Sequence, residues 1–322
     1  MRSDKEVTVP DGLLAGKASI LKRSCLSMNK QAVAQCVICT DVTCDLTLHE
    51  IAELGNPIVI PMVVTMPDGK EFKHYPDWRE RSYPDFYGQL KKEGLVPKTA
   101  AINPSDFENA WWPTLKAGKD ILYIGFSSGL SATLNSAMIA RNNLREEYPD
   151  RAIYIVDSLT TSAGLARLVK VAANALAEGT RVQEVVDWIE RMKFNTETWF
   201  VLFDLKNALA GGRLSKTQAT FGSLLDVKPI LKLDNTGKLT IDRKVRGSKR
   251  AISELTDSVA KRYDGGEITV IHAGADEEAE LVVSTLLQKL PGVNVRRRQI
   301  SAVVGAHAFP VVGIEFVGKE GR

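Results

Sequence analysis

The groups best able to do chemistry are four hydroxyl residues in two short segments read as turns: Thr99 in Lys98-Thr99, and Ser127, Ser128 and Ser131 in Ser127-Ser128-Gly129-Leu130-Ser131. The second segment follows the apolar run Ile121–Phe126 and precedes a helical pattern. A strand that ends in a small polar turn and opens a helix exposes backbone N–H groups where the helix dipole favours an anion. Such a cradle could hold a carboxylate or phosphate without any charged side chain. The competing reading is helix capping, which Ser and Thr perform with no ligand. Gly125-Phe126-Ser127-Ser128-Gly129 is a near match to the serine-hydrolase elbow, and Asp157 and His307 can be nominated as its acid and base. A serine hydrolase acting through the Ser127–Ser131 turn is therefore the enzymatic alternative.

Other sites carry less signal. No Gly-x-Gly-x-x-Gly follows a strand and no Gly-x-x-x-x-Gly-Lys-Ser/Thr exists, so a nucleotide phosphate is not the expected anion. Cys36-x-x-Cys39 sits on a β-prone run where residues three apart face opposite sides, and no second Cys/His pair lies at ligand spacing; packing is expected rather than zinc or redox chemistry. His307, among small and apolar residues near a turn, reads as a hydrogen-bonded structural residue, and Arg213 as a solvated turn residue or an anion contact. Most residues of the basic runs Lys244, Arg246, Lys249, Arg250 and Arg296–Arg298 are expected to meet solvent.

Composition bounds the classes. The 322 residues suffice for two domains, and a net charge of +3 is too small to signal a nucleic-acid-binding surface. Four cysteines, Cys25, Cys36, Cys39 and Cys44, crowd the start of the chain, which argues against a disulfide scaffold and for a reducing cytoplasm. Met1–Gln35 lacks a signal core, and nowhere do about 20 apolar residues run together. Residues 1–35 read as an N-terminal extension, a candidate mobile segment, with Met28 a candidate alternative start.

The elements that must position these residues alternate. Val37–Thr40, Val59–Met66, Ile121–Phe126 and Ile153–Val156 read as buried strands; helical patterns fall at Asp85–Lys92, Pro104–Lys116, Ser131–Glu147, Thr161–Glu178 and Val182–Met192. Pro67-Asp68-Gly69-Lys70 reads as a hairpin turn. Beyond Lys193 come strands at Thr198–Phe203, Ile230–Leu233, Leu239–Val245, Ile268–Ala273, Val293–Ile300 and Val311–Val317. Helices fit Ser248–Arg262 and Glu277–Leu290, a tight turn Gly211-Gly212-Arg213, and a hairpin Asn235-Thr236-Gly237. The expected fold is α/β with two domains. Residues 36–193 give an N-terminal domain whose mostly parallel sheet is flanked by helices and carries the cradle; residues 194–322 give a C-terminal α/β domain with a mixed or antiparallel sheet.

Eight motifs in order carry a family resemblance: Cys39-Thr40-Asp41-Val42-Thr43-Cys44-Asp45-Leu46, Ile60-Pro61-Met62-Val63-Val64, Pro97-Lys98-Thr99, Ser127–Ser131 with Thr133 and Ser136-Ala137, Val156-Asp157-Ser158, Gly211-Gly212-Arg213-Leu214-Ser215-Lys216, Leu224-Leu225-Asp226-Val227-Lys228-Pro229-Ile230 and Lys244-Val245-Arg246-Gly247. From about residue 36 to the end, the chain resembles the DegV family of bacterial fatty-acid-binding proteins. The resemblance implies two α/β domains, an acyl chain buried between or beneath them, and no catalytic machinery or cofactor beyond the bound fatty acid, such as palmitate, stearate or oleate. It also implies a partner, a fatty-acid kinase subunit that phosphorylates the presented carboxyl group; no metal and no nucleic acid are implied. Thr99 matches the family's carboxylate-binding Thr and Ser131 the last Ser of its Ser-Ser-x-x-Ser turn, which also holds Ser128. Arg213, Arg246 and His307 match positions near the carboxyl end and the kinase-facing surface. Two segments depart from the family pattern. Its usual Thr-Ser-Gln-Pro-Ser is here Thr99-Ala100-Ala101-Ile102-Asn103-Pro104, and the glycine-rich stretch after its His is here Ala308-Phe309-Pro310. The second departure keeps open a lipid sensor without kinase contact.

Overall fold

A computed structural model describes residues 36–214 and 226–322. The expected extension at 1–35, with Cys25 and Met28, lies outside the described residues, as do Ser215-Lys216 and Leu224-Leu225 of the matched motifs. Along the chain, β1 (Cys36–Asp41) leads through a 3-10 turn at Val42–Cys44 to α1 (Leu48–Glu53), β2 (Ile58–Ile60), β3 (Met62–Thr65) and β4 (Glu71–His74). Then follow α2 (Tyr83–Glu93), β5 (Lys98–Thr99), α3 (Pro104–Lys116), β6 (Asp120–Gly125), α4 (Thr133–Glu147), β7 (Ile153–Asp157), α5 (Ser162–Ala177) and α6 (Val182–Met192). The remainder comprises β8 (Thr196–Leu202), α7 (Lys206–Ala210), β9 (Val227–Leu233), β10 (Leu239–Arg246), α8 (Ser248–Arg262), β11 (Ile268–Ala273), α9 (Asp276–Lys289), β12 (Val295–Gln299), α10 (Ala302–Ala308) and β13 (Val311–Val317).

The first half builds a parallel sheet in the order β2-β1-β6-β7. Its central strand β6 is apolar on both faces because helices cover both. Ile121 and Tyr123 pack into a core with Phe107, Trp111 and Ala137 of α3 and α4, whereas Leu122 and Ile124 meet Leu165, Leu168 and Ile189 of α5 and α6. A second sheet, β4-β3-β5, is small and antiparallel. The second half forms a mixed sheet, β10-β9-β8-β13-β11-β12, in which only the β11–β12 pair is parallel. Alternation along β8 sets its two faces: Trp199 and Val201 meet α8 and α9, while Phe200 and Leu202 join the large cluster that also holds Val64, Phe86, Ile102 and Phe107. The two-domain α/β arrangement thus holds, and its largest apolar cluster draws on both halves.

Several local expectations are corrected. The run at Val59–Met66 is not one strand. Pro61, which lacks an N–H for the ladder, divides it into β2 of the parallel sheet and β3 of the small one. Lys98-Thr99 is not a free turn but the strand β5, with Thr99 opposite Val64. The helix expected from Ser131 begins at Thr133. His307 lies not beside a turn but in the last turn of α10. The hairpins at Pro67–Lys70 and Asn235-Thr236-Gly237 form as expected, with Gly69 and Gly237 at φ +84° and +70°.

Candidate functional site

β5 and α10 bring Thr99 and His307 together: Oγ1 and Nε2 lie 2.8 Å apart. Both side chains are part-buried. Burial, and then the nearby charge of Arg213, push the His307 imidazole down to about 4, so it is neutral at physiological pH. Its Nδ1 is buried without a partner, closely backed by Gly211, where an added Cβ would stand 2.2 Å from that nitrogen. Arg213, two residues on, donates from Nε to Leu130 O at 3.1 Å and from Nη1 to Gly211 O at 2.5 Å. Burial lowers its guanidinium pKa, and no carboxylate pairs with it among the described residues.

The Ser131 turn joins this group through the backbone. Ser131 Oγ accepts from Thr133 N at 3.2 Å and shares a hydrogen bond with Thr133 Oγ1 at 2.9 Å. Thr133 Oγ1 in turn accepts from Ile102 N, three residues after Thr99. Ser131 therefore does part of the work of a cap, although the residue at the N-cap position of α4 is Ala132, which makes no side-chain cap bond. Asp41 supports the same sheet edge, accepting from Tyr123 Oη at 2.9 Å and Phe126 N at 3.1 Å.

Other nominated residues fall elsewhere. Ser127 is fully buried; its Oγ donates to Gly237 O at 2.8 Å and accepts from Gly129 N, which fixes the turn against the β9–β10 hairpin. Ser128 is exposed, and its backbone N–H donates to Asp157 Oδ1. Arg246 is exposed at the end of β10, opposite Val227 and outside the network of Thr99 and His307. The hydrolase alternative is thereby corrected: Asp157 accepts backbone N–H groups of Ser128 and Leu159, His307 faces Thr99, and the elbow serine is sealed. Arg298 also departs from expectation, being buried and paired with Glu50 rather than solvated. The Leu130 carbonyl and the Ile102 N–H escaped sequence reading, and Gly211 was read only as part of a tight turn, since backbone groups and small residues leave no side-chain signature.

The three cysteines among the described residues are packing residues. Cys36, Cys39 and Cys44 are free, Trp111 Nε1 donates to Cys39 Sγ, and burial pushes all three thiols up, Cys36 to about 12. No group of three or more His, Cys, Asp or Glu is placed to hold a metal ion among the described residues, and no helix there is long and apolar enough to cross a membrane.

Residues 35–319 match the model described as "Uncharacterised protein, DegV family". A DegV domain-containing protein of Streptococcus pyogenes serotype M1 is 33% identical over 286 residues, covering 88% of this chain and 99% of that one. A solved Thermotoga maritima protein, reported to reveal a fatty acid binding function, aligns with TM-score 0.73 and 27% identity over 87% of this chain and 98% of its own. A structure reporting fatty acid binding of a DegV family protein from Thermus thermophilus aligns with TM-score 0.77 and 26% identity, covering 88% and 99%. Sequence match and shared architecture agree across nearly all of the described residues: the chain belongs to the DegV family.

Proposed function

We propose that this protein binds a long-chain fatty acid such as palmitate, stearate or oleate, with its carboxylate at Thr99 and the Ser131 turn and its acyl chain in the apolar cluster between domains 36–193 and 194–322. The observation that carries this reading is a half-buried Arg213 whose only partners among the described residues are carbonyls, set beside a neutral hydroxyl–imidazole pair. An uncompensated cation there favours an anionic head group without seizing it in a bidentate clamp. In the tautomer that carries its proton on Nε2, His307 donates to Thr99, which frees the threonine hydroxyl hydrogen for a ligand oxygen. About 15 methylenes buried at roughly 0.8 kcal/mol each contribute on the order of 12 kcal/mol before the costs of association, so the tail supplies the affinity and the polar groups set its orientation. Solved relatives at 26% and 27% identity reported to bind fatty acids support the reading.

Presentation to a fatty-acid kinase subunit, in the cytoplasm, is the finer part of the proposal. A carboxylate satisfied by neutral hydroxyls keeps the oxygen nucleophilicity that acyl-phosphate formation needs. The test pairs two assays on wild type and on Thr99→Val with Ser131→Ala. Palmitate binding should weaken about tenfold in the double variant, the loss of roughly one net hydrogen bond; unchanged affinity contradicts the carboxylate site. ATP-dependent acyl-phosphate formation with a fatty-acid kinase subunit should fall with it. Binding with no phosphorylation in the wild type would instead favour the lipid sensor, the reading to which the Ala308–Pro310 departure points.

A further inference from the structure

A concavity lies apart from Thr99, Ser131, Arg213 and His307, where the loop after β1 and the segment after β4 meet β12. It is a cleft of about 530 Å³ whose lining includes Leu46, His74, Pro76, Trp78, Arg296 and Arg298. Small-molecule sites typically span about 300–1,000 Å³. One side is flat and apolar. Trp78, part-exposed, stands edge-on to His74 with ring centroids 4.2 Å apart and to Tyr83 at 5.3 Å. Its backbone φ is +54°, and a bulky residue is held in the left-handed region only against a steric cost; such outliers gather at ligand-binding sites.

The other side carries guanidinium donors. Buried Arg298 grips both oxygens of Glu50, at 2.8 Å and 2.5 Å, and Lys170 adds a contact at 2.6 Å. Glu50 is thus matched before Arg296 reaches it. Arg296, half-exposed, meets Glu50 at only 3.3 Å and Glu267 at 3.2 Å, and its Nη2 makes no bond among the described residues. The lining holds three arginines, 296 to 298, and two carboxylates, Asp45 and Glu50; beyond the lining, Arg297 pairs with Asp276 and Glu280, and Arg296 with Glu267. Arg298 Nε and His74 Nδ1 are also buried without partners, the first an obligate donor. The carboxylates around these arginines balance their charge, but donors are left unmet at Arg296 Nη2 and Arg298 Nε, so the fitting ligand brings acceptors.

We propose that this cleft binds a small oxyanion carried on a flat ring, a carboxylate or phosphate held by the guanidinium of Arg296 while the ring lies against Trp78 and Pro76. The planar guanidinium suits two-oxygen recognition, and the indole supplies a stacking surface. Calorimetric titration of the full-length protein with benzoate, phenyl phosphate and inorganic phosphate tests it, the first two separating carboxylate from phosphate. One aromatic oxyanion should bind once per chain, about tenfold more tightly than inorganic phosphate, and about tenfold more weakly to Arg296→Ala, with Arg296→Lys between. Arg296 is half-exposed, so both variants should fold; circular dichroism checks this. No saturation by either aromatic probe at millimolar concentration overturns the site, and so does affinity unchanged in Arg296→Ala. Inorganic phosphate binding as tightly as phenyl phosphate overturns the ring contact. Repeating the titration with palmitate present should leave these affinities unaltered, which keeps the result independent of the fatty-acid reading.

Discussion

Thr99 and His307 are 208 residues apart in sequence and 2.8 Å apart at their polar atoms, and each owes its chemistry to a neighbour. Gly211 leaves room for the imidazole: a Cβ there would stand 2.2 Å from His307 Nδ1. Gly211→Ala should therefore displace the ring from Thr99 and weaken palmitate binding about tenfold, read by equilibrium titration; unchanged affinity would mean the ring does not orient the hydroxyl. Burial and Arg213 lower His307 from an ordinary 6.5 to about 4, so protonation favours the unfolded chain. Stability from this residue is fully present above pH 6.5 and is lost as pH falls from there toward 4. His307→Gln should flatten that fall, seen as a smaller difference between urea midpoints at pH 7 and pH 5 than in wild type. His74, lowered to about 4 by burial, titrates in the same window, so the wild-type-minus-variant difference is the informative quantity. Thr99 and Ser131 drew attention as hydroxyls in short polar turns, whereas Arg213 and His307 were nominated through the family resemblance; that Thr99 pairs with His307 was not legible, since only the packing of β5 against α10 decides it.

At the scale of elements, long periodic segments were readable. Val182–Met192, Ser248–Arg262, Ile268–Ala273 and Val311–Val317 form where their patterns place them, because each buries one continuous apolar face or run. Short elements were not. β5 has two residues and exists only through its pairing with β3; α10 spans seven residues, small or β-branched apart from His307, and is set by the Ser301 cap, which accepts from Val304 N. The Ser127 turn drew attention as a candidate nucleophile, yet its buried serine anchors the β9–β10 hairpin to the parallel sheet. Gly237 makes that contact possible: it holds φ +70°, and an added Cβ would stand 2.0 Å from Ser127 Oγ. Gly237→Ala should destabilise the protein by about 2 kcal/mol or more in urea unfolding, and a negligible change would show the hairpin to be loosely seated.

Across the whole molecule, ion pairs buried between the halves join them. Arg298 of β12 holds Glu50 of α1, and Arg167 of α5 holds Glu315 of β13 at 2.5 Å. Burial alone would raise the Glu50 carboxyl, but hydrogen bonds and charge from Arg298, with Lys170, hold it well below the usual carboxylate range. A lowered acid adds stability that is fully present above its unfolded value of 4.5 and is lost as pH falls further. Arg298→Met leaves Glu50 with weaker partners and should cost about 3 kcal/mol at pH 7, with less pH dependence below 4.5 than wild type, measured by urea unfolding. A crystal structure of the protein saturated with palmitate shows whether a fatty acid lies between these joined halves. One acyl chain per molecule is expected, running among the apolar residues shared by the two halves, with a carboxylate oxygen in hydrogen-bond reach of Thr99 Oγ1 and the other against the Ser131 turn. A molecule that takes up no palmitate, or holds its carboxylate away from both, would contradict the fatty-acid reading.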